Sequence, residues 1–329
     1  MQAQEIVSKY FVKEHIDSIK IFNSKLIVTL KNEPEDINKA QKLKDELLSI
    51  DGIKKVSIIF SAEINTKPIL PENNNWKING VKKIVAVASG KGGVGKSTTA
   101  VNLALSLSNL GLKVAIFDAD IYGPSLPTML GFENTPIISI DGKTFEPFPV
   151  FGVKATSIGA IISRDTPLIW RGAKACSTIE QLLTQTNWGE IDIMIIDMPP
   201  GTGDIQITLS QKILFDGAII VSTPQDIALI DAVKGVNMFK KIGVKILGIV
   251  ENMSYYLCEK CGHRADIFGH DGAKKTAQEL GVQFLGEIPL HFDIRENADK
   301  GTPIVMAIPN SPHTKAYEEI AKKIIAQLN

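Results

Sequence analysis

The chain has 329 residues, 44% of them hydrophobic and 22% charged, which fits a globular protein with one large domain and one small one. Its 36 basic and 36 acidic side chains cancel, so no overall field would collect nucleic acid or an anionic membrane. Charges interrupt every long apolar run and the first twenty residues, so we expect a cytoplasmic protein with neither nucleic acid nor membrane as a partner. Three cysteines are too few for a disulfide framework.

Residues 1–62 have the pattern of a small α/β domain. A helix is predicted at about 34–48, because apolar residues recur there at steps of three and four. Strands are predicted at 18–22, 25–31 and 53–60. Residues 63–80 contain two prolines and three consecutive asparagines with little to bury, so we expect a linker.

From residue 81 to 329, apolar runs alternate with helical patterns. This alternation predicts an α/β domain with a mostly parallel sheet and helices on both faces. A helix is expected over 96–110, with Gly111 able to take the left-handed conformation that ends it. The candidate strands are 83–89, 113–117, 192–197, 217–222 and 245–250.

The first of these strands leads into a glycine-rich turn that matches the phosphate-binding pattern G-x-x-x-x-G-K-[ST]. Lys96 is expected to reach the β and γ phosphates of ATP, and the Ser97 hydroxyl to ligate Mg²⁺. The same glycines also fit a dinucleotide fingerprint with Asp118 as its acidic residue, but a lysine directly after the last glycine favours a triphosphate. The predicted ATP-binding loop comprises Gly90, Lys91, Gly92, Gly93, Val94, Gly95, Lys96, Ser97 and Thr98.

Carboxylates follow two further strands. Asp197 ends an apolar strand, as does the aspartate that holds Mg²⁺ in many nucleotide hydrolases. Asp118 and Asp120 follow the second strand of the large domain, so both should lie beside the phosphate loop. We expect Asp120 to orient the attacking water and Asp118 to support the site near Mg²⁺; turn-stabilising aspartates are the alternative.

Lys91 follows the first glycine of the loop. This placement resembles the deviant loop of dimeric P-loop ATPases that partition chromosomes, position septa, pump arsenite or reduce nitrogenase. The resemblance implies a homodimer that sandwiches two ATP molecules, with Lys91 touching the partner's nucleotide and acting in catalysis with Lys96 and Asp120. An exposed loop lysine in a monomeric enzyme is the alternative.

Cys258 and Cys261 form a C-x-x-C pair just beyond a predicted strand. Two such pairs across a twofold axis would give four sulfurs, a set that selects zinc or an iron-sulfur cluster. The other possibilities are a zinc site within one chain completed by His263 or His270, a redox disulfide, and a pair without a ligand. Cys176 is expected to be a small buried residue.

Five segments together, GKGGVGKST, DADIYGPSLP, IDMPPGTGD, VENMSYYLCEKCG and IFG, resemble the Mrp/ApbC family of iron-sulfur cluster carrier ATPases. The resemblance covers about residue 81 to the end. It implies a slow ATP hydrolase whose homodimer holds a labile cluster, of the 4Fe-4S type, between the Cys258 and Cys261 pairs. Cluster donors and apo iron-sulfur proteins are the implied partners.

The same resemblance implies that Asn252 contacts the adenine and that Pro289, in the segment 288–290, lies near the base or ribose. Two positions depart from the family pattern. Glu259 stands where a proline often follows the first cysteine, and Ala173-Lys174 replaces Pro-Met after Arg171-Gly172.

Two other functions fit parts of the sequence: a positioning ATPase that binds membrane or DNA, and a zinc-stabilised ATPase with another client. The positioning ATPase would use the amphipathic C-terminal helix, whose apolar residues are Tyr317, Ile320, Ile324, Ile325 and Leu328. Amphipathic helices mostly face a core, so we expect this helix to pack within the domain.

Overall fold

The computed structural model describes residues 2–12, 15–22, 25–31, 37–51, 53, 55–61, 75–139, 141–160 and 172–328. The chain divides between Lys67 and Pro68 into two units.

The first unit is a three-stranded sheet with two helices. Strand β1 pairs antiparallel with β2, and β2 pairs parallel with β3. Its core includes Val7, Leu26, Val28, Leu43 and Leu47. The first helix was not predicted, because charged and polar residues separate its few apolar positions. The elements are α1 (Gln2–Tyr10), β1 (Ile16–Phe22), β2 (Lys25–Lys31), α2 (Ile37–Leu48) and β3 (Lys55–Ser61).

The second unit is built on an eight-stranded sheet. Its elements are β4 (Val81–Ala88), α3 (Lys96–Asn109), β5 (Val114–Asp118), α4 (Leu126–Met129), β6 (Phe148–Val150), β7 (Val153–Ser157), α5 (Gly172–Gln185), β8 (Ile191–Asp197), α6 (Asp204–Lys212), β9 (Gly217–Ser222), α7 (Asp226–Lys241), β10 (Ile246–Glu251), β11 (Tyr256–Leu257), β12 (Arg264–Ala265), α8 (Gly272–Glu279), β13 (Phe284–Glu287), α9 (Phe292–Asp299), α10 (Ile304–Ala307) and α11 (Pro312–Leu328).

The strand order of this sheet is β13-β10-β9-β4-β8-β5-β7-β6. Every pairing is parallel except that of β6 with β7. Two hydrophobic cores cover its opposite faces, one including residues of α3 and α11 and the other residues of α5, α6, α7 and α8. The predicted α/β class is confirmed, and the five predicted strands are present. Three further strands, β6, β7 and β13, were missed because they are short or mix polar with apolar residues.

Residues 75–80 belong to the second unit. Trp76 and Ile78 are buried in its core, and the Trp76 N–H donates to the Lys212 carbonyl at 2.8 Å. The predicted linker therefore extends too far towards β4, because isolated apolar residues in an otherwise polar stretch gave no periodic pattern. Residues 63–74 of that linker, and the predicted helix start at 34–36, lie outside the described residues.

The C-terminal helix α11 packs within the unit, as expected. Tyr317, Ile320 and Ile324 are fully buried or nearly so, and Ile325 and Leu328 pack partly buried against the same core. The apolar face of α11 is therefore covered by the core, whereas a positioning ATPase would need that face exposed to bind a membrane. Among the described residues, none of the helices combines the length and the apolar character that a bilayer span requires.

Strands β4, β8 and β5 lie side by side, so their carboxyl ends meet at one edge of the sheet. Asp118 at the end of β5 is paired in register with Asp197 at the end of β8. Asp197 is also paired with Val87 of β4, just before the glycine-rich turn. The sheet thus brings together the loop and the carboxylates that the sequence singled out.

Candidate functional site

The glycine-rich turn connects β4 to α3 through a tight backbone path. Gly93 and Gly95 have φ angles of 82° and 79°, in the left-handed region that favours glycine. A cleft of about 240 Å³ opens over the turn. Its lining comprises Ser89, Lys91, Gly92, Gly93, Gly95, Lys96, Ser97, Thr98, Asp120, Gly123, Ser125, Met129 and Pro200.

Lys96 lies at the base of this cleft, with only 6% of its side chain exposed. Its ammonium is 2.6 Å from Asp197 Oδ1 and 3.6 Å from Asp120 Oδ2. It also donates to the Ser97 hydroxyl at 3.3 Å. The predicted phosphate-binding lysine therefore meets two of the three predicted carboxylates, because α3 and the ends of two strands come together there.

Asp118 is fully buried, and both of its oxygens hold the following loop. Oδ1 accepts from the Asp120 N–H, and Oδ2 accepts from the Ser125 and Leu126 N–H groups and from the Ser157 hydroxyl. Burial, and then the nearby Asp197 charge, raise the pKa of Asp118 to about 7. Asp118 thus shapes the turn that presents Asp120, and Ser157 joins it from β7. No local pattern in the sequence identifies Ser157.

Two buried carboxylate oxygens in this cluster, Asp120 Oδ1 and Asp197 Oδ2, make no hydrogen bond within the described residues. Burial raises the pKa of Asp197, and the Lys96 ammonium acts against that rise. One ammonium thus faces three carboxylates. Hard oxygen donors with excess negative charge and unused lone pairs fit Mg²⁺, and Ser97 places a hydroxyl beside them.

Lys91 lies on the rim of the cleft and is half-buried. Its carbonyl accepts from the Ser89 hydroxyl at 2.8 Å, which fixes the start of the turn. Within the described part of the chain its ammonium has no ion-pair partner, whereas Lys96 has two. The contact of Lys91 with a partner's nucleotide stays a prediction.

Asn252 follows β10 and packs behind the glycine-rich turn. Its side-chain amide donates to the Val94 carbonyl at 2.8 Å, and its backbone N–H donates to the Ser222 carbonyl at 2.7 Å. The segment that contains Pro289 runs alongside, because Ile288 N–H donates to the Glu251 carbonyl and Leu290 N–H to the Tyr255 carbonyl. Asn252 therefore lies against the loop, Pro289 lies in the segment beside residues 251–255, and the contact of both with the base stays a prediction.

The cysteines lie on a hairpin formed by β11 and β12, which is separate from the main sheet. Cys258 N–H donates to the His263 carbonyl and Gly262 N–H donates to the Cys258 carbonyl, closing a tight turn. Hydrogen bonds from the backbone N–H groups of Cys261 and Lys260 lower the pKa of the Cys258 thiol. Such N–H groups directed at sulfur favour the thiolate, the form that binds metal.

Both thiols are free and accessible: Cys258 is half-buried and Cys261 is exposed. Neither His263 nor His270 forms a three-ligand cluster with them within the described residues, so the zinc site within one chain is not assembled. His270 instead lies 3.2 Å from Asp266 and 3.3 Å from Asp271. Cys176, on α5, packs against the core but is half-buried, less covered than the buried position predicted.

Known proteins share much of this sequence. The iron-sulfur cluster carrier protein of Escherichia coli (strain K12) is 52% identical over 283 residues, covering 86% of this chain and 76% of that protein. The iron-sulfur cluster transfer protein NUBPL of Dictyostelium discoideum is 49% identical over 260 residues, covering 78% of this chain and 80% of that protein.

Solved structures show the same fold. A nucleotide-binding protein from Archaeoglobus fulgidus, in complex with ADP, superimposes with a TM-score of 0.63 at 35% identity, over 72% of this chain and 92% of that one. The cell-division ATPase MinD of Pyrococcus furiosus gives 0.58 at 24% identity, over 74% and 98%. The ParA family model described as NUBPL iron-transfer P-loop NTPase matches residues 80–325. The chain therefore belongs to the family of NUBPL-type iron-transfer P-loop NTPases.

Proposed function

We propose that this protein is an ATP-dependent iron-sulfur cluster carrier. Its homodimer holds a labile cluster between two Cys258–Cys261 pairs and transfers it to apo-proteins, and slow ATP hydrolysis changes how firmly the cluster is held. The observation that carries the proposal is the cysteine hairpin. It presents two accessible sulfurs, one with a lowered thiol pKa, on the unit that also carries the phosphate loop.

The number of sulfurs supports a shared site. Clusters of the 2Fe-2S and 4Fe-4S types are held by four thiolates, and each chain offers two on its hairpin. A twofold axis near the hairpins would supply the other two, and we propose a 4Fe-4S cargo. Accessible ligands suit a cargo that must leave, because an incoming thiolate of the receiving protein can reach the iron.

Exposed apolar side chains near the phosphate loop support a second copy of the chain as partner. Tyr122, two residues beyond Asp120, is 73% exposed. Ile227 and Ile230, at the start of α7, are 71% and 58% exposed, and the backbone of Asp231 packs directly against Gly90. Together with Lys91, these residues give the rim of the cleft a mixed apolar and cationic surface, which suits a partner that carries nucleotide phosphates.

The cleft supports ATP hydrolysis by positioning and charge. Lys96 supplies positive charge for the β and γ phosphates, and Asp120, with one free oxygen, can orient a water. Asp118 holds the Asp120 turn in shape. Ser97 and Asp197 would hold Mg²⁺, which neutralises phosphate charge when bound.

A short segment connects the two sites. Asn252 is bonded to the phosphate loop, and Cys258 follows six residues later in the chain. Glu251 anchors the segment, because its buried carboxylate accepts from the Ser254 hydroxyl and from the Ala273 N–H of α8, both at 2.6 Å. A movement of the phosphate loop that displaces Asn252 would therefore also displace the hairpin, because the segment between them is anchored by hydrogen bonds.

The decisive experiment replaces both hairpin cysteines, Cys258→Ser with Cys261→Ser. After anaerobic reconstitution, we expect the unsubstituted chain to hold iron and sulfide with a cluster absorption spectrum. The double variant should hold neither and should bind ATP with unchanged affinity, because the hairpin lies outside both cores. Cys176→Ser is the matched control and should keep the cluster.

Three outcomes would contradict the proposal. Zinc without sulfide in the unsubstituted chain would indicate the zinc-stabilised ATPase. Iron and sulfide retained by the double variant would place the cluster elsewhere. Unfolding of the double variant would make the cysteines structural.

The ATP-dependent step is tested with Lys96→Ala. Removing this ammonium should abolish measurable phosphate release and the effect of ATP on cluster transfer to an apo-protein, while reconstitution remains possible. Lys82→Ala is the control, because Lys82 forms an exposed ion pair with Asp192 and such pairs contribute little. ATP-stimulated transfer by Lys96→Ala would separate cluster handling from nucleotide hydrolysis.

A further inference from the structure

A second group of metal-ligating side chains lies outside the nucleotide site and the cysteine pair. It consists of His291, at the N-cap of α9, Asp293 in the first turn of α9, and His313 in the first turn of α11. One ligand atom from each of the three lies within 4.8 Å of the other two. Within the described residues, this is the set of three His, Cys, Asp or Glu side chains whose ligand atoms lie close enough to share one metal ion.

His313 is the best indication that the cluster is built for a ligand. It is 7% exposed, and its Nδ1 is buried without a hydrogen-bond partner in the described part of the chain. A buried imidazole with an unused nitrogen is a typical metal ligand, and leaving that nitrogen without a partner costs free energy.

His291 has the surroundings of an oriented ligand. Its Nδ1 accepts from the Asp293 backbone N–H at 3.2 Å, which caps α9, and lies 3.4 Å from Asp293 Oδ2. A bound ion would replace that N–H as the partner of the Nδ1 lone pair. Its Nε2 faces Glu259, at 3.4 Å from Oε1. Metal-bound imidazoles commonly donate their second N–H to a carboxylate, which fixes the ring and raises its basicity. The His313 ring packs against that of His291, with 4.2 Å between centroids.

We propose that His291, Asp293 and His313 bind a divalent transition-metal ion such as Zn²⁺ or Fe²⁺, with Glu259 as the outer carboxylate that orients His291. Two imidazoles and one carboxylate suit such ions and leave a position for water. Asp293 and Glu259 balance the double charge. Ligand atoms around one zinc lie about 3.3 Å apart, so the rings need only turn inwards.

The site touches the cysteine hairpin without including its sulfurs. Glu259 stands between the two cysteines in the sequence, and its carboxylate reaches His291. An ion bound at His291 would hold that carboxylate and so fix one side of the turn. The proposal does not depend on the cluster-carrier function, because none of its three ligands is a cysteine.

The test uses the full chain with Cys258→Ser and Cys261→Ser, so that the hairpin thiolates cannot compete for the ion. Equilibrium dialysis with Zn²⁺ should give one ion per chain. Titration with Co²⁺ should give visible absorption bands without a thiolate charge-transfer band. His291→Asn, which keeps a good helix N-cap, and His313→Gln should each weaken binding at least about tenfold.

His270→Asn is the matched control, because His270 is exposed and outside the cluster; its Zn²⁺ affinity should be unchanged. Should His313→Gln fail to fold, Asp293→Asn keeps the side-chain shape and should show the same loss. The proposal is overturned if the chain with both hairpin cysteines replaced binds no Zn²⁺, if His291→Asn and Asp293→Asn bind it as tightly as their parent, or if His270→Asn weakens binding as much as they do.

Discussion

Asp120 and Asp197, unlike Asp118, each have a carboxylate oxygen that makes no hydrogen bond within the described residues. The Asp120 Oδ2 lies 3.6 Å from the Lys96 ammonium, and the loop of Asp120 is held by Asp118. We expect Asp120→Asn to bind ATP normally and to hydrolyse it about 10²-fold more slowly, because an amide orients water poorly. Phosphate release and nucleotide affinity measure the two effects. Asp204→Asn, at the exposed start of α6, should hydrolyse ATP normally; equal rates in both variants would reassign the water to another group.

Asp118 predicts a pH dependence of stability. Its pKa is 3.8 in an unstructured chain and about 7 when folded. Folding therefore strengthens proton binding, and the stability gained from that proton is present below pH 3.8 and lost as the pH rises through about 7. Asp118→Asn lacks this titration. Its free energy of unfolding, relative to that of the unsubstituted chain, should therefore rise between about pH 5 and about pH 8, by up to about 1.4 kcal/mol per pH unit.

Urea denaturation without Mg²⁺ or nucleotide, at several pH values in that interval, would measure this difference. Asp204→Asn should differ from the unsubstituted chain by the same amount at each pH. A pH-independent difference for Asp118→Asn would mean that Asp118 titrates alike in the folded and unfolded chains.

The role of a single residue could be predicted where the residue belongs to a local sequence motif. It could not be predicted where the residue meets its partners only in the folded chain. Lys96 and Asp197 could be identified because glycine spacing and a strand-end aspartate are local patterns. Ser157 and Glu251 could not, because the atoms they contact lie far away in sequence. The same is true of His291 and His313, which come together only when α9 packs near α11.

The phosphate loop offers a graded test of its backbone. Gly92 has neither a left-handed φ nor an atom within 4 Å of an added Cβ; Gly93 has the left-handed φ alone. Gly95 has both constraints, since an added Cβ would clash with Asn252 Nδ2. An alanine substitution should therefore be least destabilising at Gly92, more so at Gly93 and most at Gly95. The left-handed conformation alone should cost about 1–2 kcal/mol of folding stability. Thermal unfolding measures the order, and equal melting temperatures would contradict it.

Elements were predictable where burial on both faces makes a strand continuously apolar, as in β4, β8 and β9. Strand β7 carries Lys154 and Thr156, and β13 has four residues, so neither shows a clear pattern. They become strands because neighbouring strands offer them hydrogen bonds. Helix α1 was missed for the same reason. Its apolar residues are few, and they are recognisable as core residues only once they pack with those of α2.

At the scale of the whole molecule, Lys91 predicts dimerisation that depends on nucleotide. Its ammonium has no ion-pair partner within the described residues, and Tyr122 and Ile227 are exposed around the same cleft. With Mg²⁺ and a non-hydrolysable ATP analogue, light scattering should show a dimer for the unsubstituted chain and a larger monomer fraction for Lys91→Ala. Lys241→Ala, at the end of α7, is the control. A monomer under all conditions would contradict the shared cluster site as well.

The division into two units followed only partly from composition. A proline- and asparagine-rich stretch indicated a boundary, and the chain divides between Lys67 and Pro68. Trp76 and Ile78 extend the second unit further back than the pattern suggested, because two isolated apolar residues are enough to dock a segment once a core exists.

The two-stranded hairpin has a consequence for how such proteins diversify. Each of its strands has two residues, and neither strand pairs with the eight-stranded sheet. Exchanging residues 256–265 for another loop with different donor atoms would therefore alter what the molecule carries while its nucleotide machinery stays intact. Evolution can therefore change the ligands of the hairpin while the phosphate loop stays the same, so relatives that share this loop are free to bind different inorganic groups.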